Sequence, residues 1–320
     1  MKLKTIGFLC LLTAIFGKIS AQQSIPFDQQ YLLSDKILIN PSYTGYTDDI
    51  VLKATYHKQW SDFDESPNTQ TISTHFNLVD RLGVGAYFFR DENGPVSMNG
   101  INLSSAYHIP FTDDDEDRTR NQFSFGASLS FFGQSLDYAK LTPEMSNDPL
   151  LTGDKTIFLS YLNLGLSFAY NGFFGGVSVL DIPLGQNKPV VNTIEPSPAW
   201  YYLNFGYDWD VTDGFVLEPS LLMSLNSDSQ RMLDLNLKAK FKNDFNSFAV
   251  GVSYRDGLSS EKNEGLSFTP FIQADLNRLN FSFGYNFGLS DIYKTGKDGF
   301  VIGLGYNLEN FINPDGFRYR

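Results

Sequence analysis

Cysteine is nearly absent: the 320-residue chain holds one, Cys10. That excludes a disulfide framework and any zinc site built on thiolates. Histidine is scarce too, with only His57, His75 and His108, and no carboxylate pairs with them at metal-ligand spacing. Charged residues make up 19% of the chain, and 36 acids against 24 bases leave a net charge of −12. That balance excludes electrostatic attraction to a nucleic-acid backbone. Long apolar runs are missing beyond the N-terminus, and the mean hydropathy of −0.20 excludes a bundle of membrane-spanning helices. No nucleophile elbow, phosphate loop or dinucleotide fingerprint is present. The glycines of Gly299-x-x-x-Gly303-x-Gly305 recur at a strand period with no helix after them. The acidic run Asp113-Asp114-Asp115-Glu116-Asp117 lacks the sixth-position glycine and distal glutamate of a calcium loop and reads as a solvated turn. No enzyme and no cofactor is expected.

What the chain has in abundance is aromatic side chains, 29 Phe and 17 Tyr, with 27 Gly, a mixture that argues against disorder. Residues 1–21 read as a secretory signal peptide: a basic start at Lys2 and Lys4, an apolar run from Ile6 to Gly17, and a small residue, Ala21, at its end. An exported chain without disulfides needs another source of stability, and a closed hydrogen-bonded sheet is one.

Beyond the leader the dominant signal is strict alternation. Leu233, Leu235, Leu237, Ala239 and Phe241 share one parity, while Asp234, Asn236, Lys238 and Lys240 share the other. The same pattern runs through Phe123–Phe131, Leu162–Tyr170 and Leu279–Phe287. Fourteen candidate strands follow: 50–58, 70–79, 82–90, 99–109, 121–134, 157–170, 172–180, 200–209, 214–226, 232–241, 246–255, 266–276, 279–290 and 299–308. Most match the ~9–11 residues of a tilted membrane strand better than the ~5–6 of a soluble one. Even-numbered connections are mostly tight, as at Asp80-Arg81, Asn171-Gly172 and Asn277-Arg278. Odd-numbered ones include the long stretches 59–69, 135–156, 181–199, 256–265 and 291–298. The acidic stretch 113–117 is the exception on the short side. Short periplasmic turns facing longer outer loops mark an outer-membrane barrel.

The reading is all-β: a transmembrane antiparallel β-barrel of about 14 strands over 50–308, with the large residues toward lipid and the small polar ones inward. Alternation alone does not separate this from a secreted β-sandwich that binds glycan. Residues 22–49 precede the first strand, and their Tyr31-Leu32-Leu33 and Ile37-Leu38-Ile39 need cover, which makes them a candidate plug in the lumen or at the periplasmic rim. Residues 309–320 form a tail expected in the periplasm, like the N-terminus. Asn163, Glu218, Asp234, Lys238, Lys240 and Arg255 share the polar parity and are candidate lumen-facing residues, as an internal salt-bridge mesh or the lining of a passage.

Phe27-Asp28-Gln29-Gln30-Tyr31, followed by Asn40-Pro41-Ser42-Tyr43-Thr44-Gly45, resembles the opening of the PorP/SprF family of type IX secretion outer-membrane proteins, with serine where the family has alanine. The resemblance continues through Tyr56-x-x-Gln59-Trp60-x-x-Phe63, Gly83-Val84-Gly85, Asp91-x-x-Gly94-Pro95, Gly175-Gly176-Val177 and Leu217-Glu218-Pro219 to Gly251-Val252-Ser253-Tyr254-Arg255. It departs from the family after Gly284-Tyr285 and in its longer tail. It implies a non-enzymatic component of the outer membrane that works in type IX secretion and gliding motility. Such a component aids export or surface anchoring of a large adhesin through that cargo's C-terminal sorting domain. Implied partners are such a cargo, ring or motor-linked lipoproteins, translocon components and membrane lipid. Candidate partner contacts are Asn40, Pro41, Tyr43, Gly45, Gln59, Trp60, Asp91 and Gly94, with loops 135–156 and 181–199 and the acidic turn beside them. A porin-like solute channel remains the competing function.

Overall fold

The computed structural model describes residues 31–61, 66–111, 121–137, 140, 156–185, 199–226, 231–243, 245–258, 264–289 and 298–314. The signal peptide, residues 22–30, the acidic run, most of loops 135–156 and 181–199, and the end of the tail lie outside these. Fourteen strands are present: β1 Ile50–Lys58, β2 Asn68–Val79, β3 Leu82–Asn93, β4 Val96–Pro110, β5 Gln122–Leu136, β6 Thr156–Tyr170 and β7 Phe173–Pro183, then β8 Trp200–Tyr207, β9 Phe215–Asn226, β10 Arg231–Lys242, β11 Asn246–Gly257, β12 Glu264–Leu276, β13 Leu279–Gly288 and β14 Gly299–Leu308. β8 breaks at Asp208 and resumes as Trp209–Thr212, still paired to β9. Every strand pairs antiparallel with its neighbour in sequence. β14 then pairs with β1, from Ile50 opposite Leu308 to Lys58 opposite Phe300, and closes the ring.

Tight turns form where local chemistry supplies left-handed backbone. Asn171 (φ 49°) and Gly172 (φ 82°) make a two-residue link from Tyr170 to Phe173, the mirror-image turn that matches strand twist. Arg81 and Asn277 take positive φ at the equivalent corners of β2–β3 and β12–β13. At the other end, β3 and β4 run further than the alternation suggests and meet across Gly94-Pro95, with Gly94 at φ 55°.

The burial pattern is inverted relative to a soluble protein. On β5 and β6 the buried residues include Ser124, Ser128, Ser130, Asn163 and Ser167, while Phe125, Leu129, Leu164 and Leu166 are exposed. The exposed row continues around the ring through Phe205, Leu237, Phe283 and Leu304. In water such a belt would forfeit on the order of 25 cal/mol for every Å² of apolar surface left wet, so the solvent it fits is hydrocarbon. The sandwich alternative is overturned, because the sheet closes on itself and, among the described residues, no second sheet covers the phenylalanines. Among the described residues no helix is long and apolar enough to cross a membrane, so the spanning elements are the strands.

Inside the ring, large apolar residues break the polar parity where Tyr31–Tyr46 crosses the lumen. Ile37, Leu38 and Tyr43 pack with Tyr87, Phe89, Met98, Phe132, Leu159 and Tyr161 of β3–β6. Tyr31 and Ile39 pack with Leu180, Trp200, Tyr202 and Leu222 of β7–β9. Leu33 meets Phe271 and Val301 of β12 and β14. The three clusters of buried apolar residues inside the ring all form around the N-terminal segment.

Candidate functional site

The site is the seat of that segment on the inner wall. Two short 3-10 turns shape it, Lys36–Leu38 and Pro41–Tyr43, each started by a side chain that stands in for missing backbone partners. Asp35 accepts from the Ile37 N–H at 3.2 Å, and Asn40 accepts from the Ser42 N–H at 2.9 Å. Asn40 is extended (φ −155°, ψ 110°), as its following proline requires, and Pro41 opens the turn at a position that needs no N–H.

Asn40 is 1% exposed and uses its whole amide. Nδ2 donates to the carbonyls of Leu166 at 3.1 Å and Val177 at 3.4 Å, on adjacent strands β6 and β7. Oδ1 also accepts from the Ser42 hydroxyl at 2.7 Å. The approach is possible because the wall is glycine there. A Cβ on Gly165 would lie 2.0 Å from Asn40 Oδ1, one on Gly176 2.8 Å from Nδ2, and one on Gly126 2.5 Å from the Pro41 backbone. Gly83 serves Thr44 in the same way, since its Cβ would lie 2.0 Å from the Thr44 carbonyl oxygen. The Ser178 hydroxyl donates to the Ile39 carbonyl, and the Asn204 amide donates to the Tyr43 hydroxyl at 3.0 Å.

Two histidines hold the end of the turn. His108 lies 2.9 Å from the Thr44 carbonyl through Nε2 and 2.8 Å from the Ser124 hydroxyl through Nδ1. A carbonyl only accepts, so Nε2 carries the proton in that bond. His75 Nδ1 accepts from the Gly45 N–H at 3.1 Å, which leaves Nε2–H facing Asp35 Oδ1 at 3.5 Å. Asp35 also accepts from the Ser73 hydroxyl at 2.6 Å, and Lys53 donates to the Ser34 carbonyl at 3.1 Å. Burial pushes the Asp35 carboxyl up. His75, Ser73 and Lys53 outweigh that and hold it well below the usual carboxylate range. Burial also raises the Tyr43 hydroxyl to about 12, against the lowering effect of Asn204. Lys36 lies 5.6 Å from the Tyr43 ring centre and 5.1 Å from that of Phe174. Gln273 donates to the Leu32 carbonyl and Ser282 to that of Leu33, anchoring the segment's start. At the opposite end Asn77 donates to the Thr47 carbonyl, while Asn310 of the tail donates to that of Asn77.

The sequence-expected residues divide into three places. Asn40, Pro41, Tyr43 and Gly45 come together inside the ring; Asn40, Pro41 and Tyr43 are buried there, which leaves them no surface for a partner while the segment is docked. Gln59, Trp60, Asp91 and Gly94 gather at the end of the long loops: Asp91 is buried and accepts from Thr69 at 2.6 Å, and Trp60 has φ 47°. Asn163, Glu218, Asp234, Lys238, Lys240 and Arg255 lie on the inward parity. Arg255 grips Asp234 with two bonds of 2.6 Å, Lys238 pairs with Glu218, and Asn163 bridges Ser128, Ser130 and the Asp181 N–H. Sequence reasoning did not single out Asp35 or the glycine seats, and it weighed His75 and His108 only as metal ligands. His57 faces Thr69 and His75 faces Val51, so the two histidines do not meet across the β1–β2 hairpin. No group of three His, Cys, Asp or Glu among the described residues is arranged to hold a metal.

A model of one protein family matches residues 19–306, that of the type IX secretion system membrane protein PorP/SprF. No curated protein is similar enough to count as a match. Among solved structures, the CymD monoaromatic hydrocarbon channel superposes with a TM-score of 0.53 at 14% identity, covering 86% of this chain and 92% of that one. A TodX monoaromatic hydrocarbon channel mutant gives 0.50 at 12% identity, covering 85% and 93%. These two likenesses establish the outer-membrane barrel fold and nothing finer.

Proposed function

The chain belongs to the PorP/SprF family of type IX secretion system membrane proteins, and from that premise we propose that it is a plugged, non-enzymatic barrel of the outer membrane that aids export or surface anchoring of a large cargo. The cargo is recognised through its C-terminal sorting domain, and the barrel supplies a rigid frame whose loops and inner rim meet the partners. The observation that carries this reading is the docking of Asn40-Pro41-x-Tyr43-x-Gly45 across the lumen. The motif that marks the family packs against the inner wall, on the side of the sheet where a solute would pass. The tight-turn end, with residues 46–49 and Asn310, faces the periplasm and meets ring or motor-linked lipoproteins. The loop end faces outward and meets cargo.

The test is purification from native membranes in detergent, with copurifying proteins identified by mass spectrometry. Co-isolation of a large surface protein carrying a sorting domain, or of a secretion-ring lipoprotein, is the expected result. A deletion strain is expected to lose that protein from its surface with unchanged bulk outer-membrane permeability. Normal surface display together with lost solute uptake would favour the competing solute channel, the activity printed for the two fold neighbours.

A further inference from the structure

The lipid-facing belt is not uniform. Over β6–β9 it holds a trough with a cavity volume of about 420 Å³. Strand register explains it. On β7 the outward residues are Val177 and Val179, the shortest in this stretch. They stand opposite Leu166 and Leu164 on one side and opposite Leu203 and Tyr201 on the other. Longer side chains therefore form the banks, Met223 on β9 extends the far one, and the backbone at Gly165 and Ser178 forms the floor. No Asp, Glu, His, Lys or Arg side chain lines it.

The floor is braced from within. Leu166 and Val177 are the residues whose carbonyls Asn40 holds, and Ser178 is bonded to Ile39. A floor braced from within does not move outward into an empty trough, so the trough keeps its volume for a ligand. Water offers nothing to satisfy it in the hydrocarbon layer, and a void there forfeits the dispersion contacts of every lining atom. At ~30 Å³ per water in the liquid, the space equals about fourteen waters, room for one extended chain rather than for bulk lipid. Tyr201 stands at the loop end of the trough, the interfacial position that aromatics favour.

We propose that this trough is a binding site for one acyl chain of a membrane lipid, held longer than the chains around it. Recognition is of the hydrocarbon, since the lining offers no charge to a headgroup. The site needs only the barrel fold and stands apart from the secretion assignment.

The test uses the full chain reconstituted in phosphatidylethanolamine vesicles containing a phospholipid with a diazirine in its acyl tail. Irradiation and peptide mapping are expected to label β6–β9 about tenfold above the outer face of β14 on the far side of the ring, the ratio that ~1.4 kcal/mol of extra contact produces. Val177→Phe with Val179→Phe fills the trough and is expected to bring that labelling down to the β14 level, whereas Ile302→Phe on β14 leaves it unchanged. Uniform labelling of the parent around the ring would overturn the proposal whether or not the filled variant folds. So would labelling that survives filling, or cross-linked dimers joined through β7, which would assign the trough to a second copy of this chain.

Discussion

Replacing Asn40 by aspartate alters a single group, an NH2 that becomes a carboxylate oxygen, and tests the seat of the plug directly. In the parent that NH2 donates to Leu166 O at 3.1 Å and Val177 O at 3.4 Å, in a site with 1% exposure. Each neutral hydrogen bond lost costs about 1 kcal/mol, and a buried polar group left facing like partners adds about 1–3 kcal/mol, so docking weakens by about 3 kcal/mol or more. Asn40→Ala removes the bonds without the repulsion and is expected to fall nearer 2 kcal/mol. The readout follows from cysteine usage: Cys10 is the chain's sole cysteine and lies in the expected leader, so Cys10→Ser gives a clean background. Ser34 is suited to carry the reporter, because its buried hydroxyl has no hydrogen-bond partner among the described residues and Ser34→Cys changes little. When opening and closing are fast, the rate of labelling by a charged maleimide tracks the undocked population. Asn40→Asp should raise that rate by roughly two orders of magnitude, and Asn40→Ala by about one and a half. A rate unchanged by Asn40→Asp, or already fast in the parent, would refute the idea that this amide secures the segment.

Gly165→Val places a Cβ 2.0 Å from Asn40 Oδ1 and should accelerate the same labelling, while Gly133→Ala, whose Cβ meets nothing nearer than 3.8 Å, should not. Asp35 ionises below its ordinary range when docked. Its contribution is therefore full above the usual carboxylate pKa and is lost as pH falls below it, so hydrogen exchange at Ile37 and Leu38, corrected for intrinsic rate, should rise on acidification and lose that dependence in Asp35→Asn. The Tyr43 hydroxyl is raised from 10.0 to about 12, so docking should hold below pH 10 and weaken towards pH 12 by up to about 3 kcal/mol, as read by tyrosinate absorbance against Tyr43→Phe. Arg255→Met removes the guanidinium that grips buried Asp234 and should cost about 3–5 kcal/mol in urea unfolding, most of which Arg255→Met with Asp234→Leu should restore.

The barrel was legible because period-two alternation and strand length are local, and the alternation of tight and long connections depends only on turn chemistry. Asn171-Gly172 prescribes its turn from two residues. Strand ends were less legible: β3 and β4 meet at Gly94-Pro95 because pairing across Asn93 and Val96 extends the ladder past the point where alternation fades. The seat was hidden for a different reason. Phe89, Phe132, Tyr161 and Trp200 sit on the polar parity, and Gly126 and Gly165 look like ordinary small lumenal residues. Their meaning lies in Ile37, Leu38, Ile39 and Asn40, some fifty to one hundred and sixty positions away in the chain. No local window carries that pairing. Asn40-Pro41 announced a turn, but nothing beside it announced the two wall carbonyls.

The same geometry separates two stabilities. The wall is held by a ladder that closes from β14 to β1 without borrowing a strand from the N-terminal segment. The segment is held by side chains and single carbonyls: the Asn40 amide, Ser178, Gln273, Ser282, His75 and His108. Breaking the second set leaves the first intact, so undocking is not unfolding. Asn40→Asp should therefore speed labelling at Ser34→Cys while the barrel keeps its folded mobility on unheated gels. Leu304→Lys, on the lipid face of β14, should do the reverse: it lowers barrel stability by about 2–4 kcal/mol if the site lies near the bilayer midplane and leaves labelling alone. If both variants shifted both measurements together, segment and wall would be one cooperative unit, and a plug able to leave its barrel would be the wrong description of this lumen.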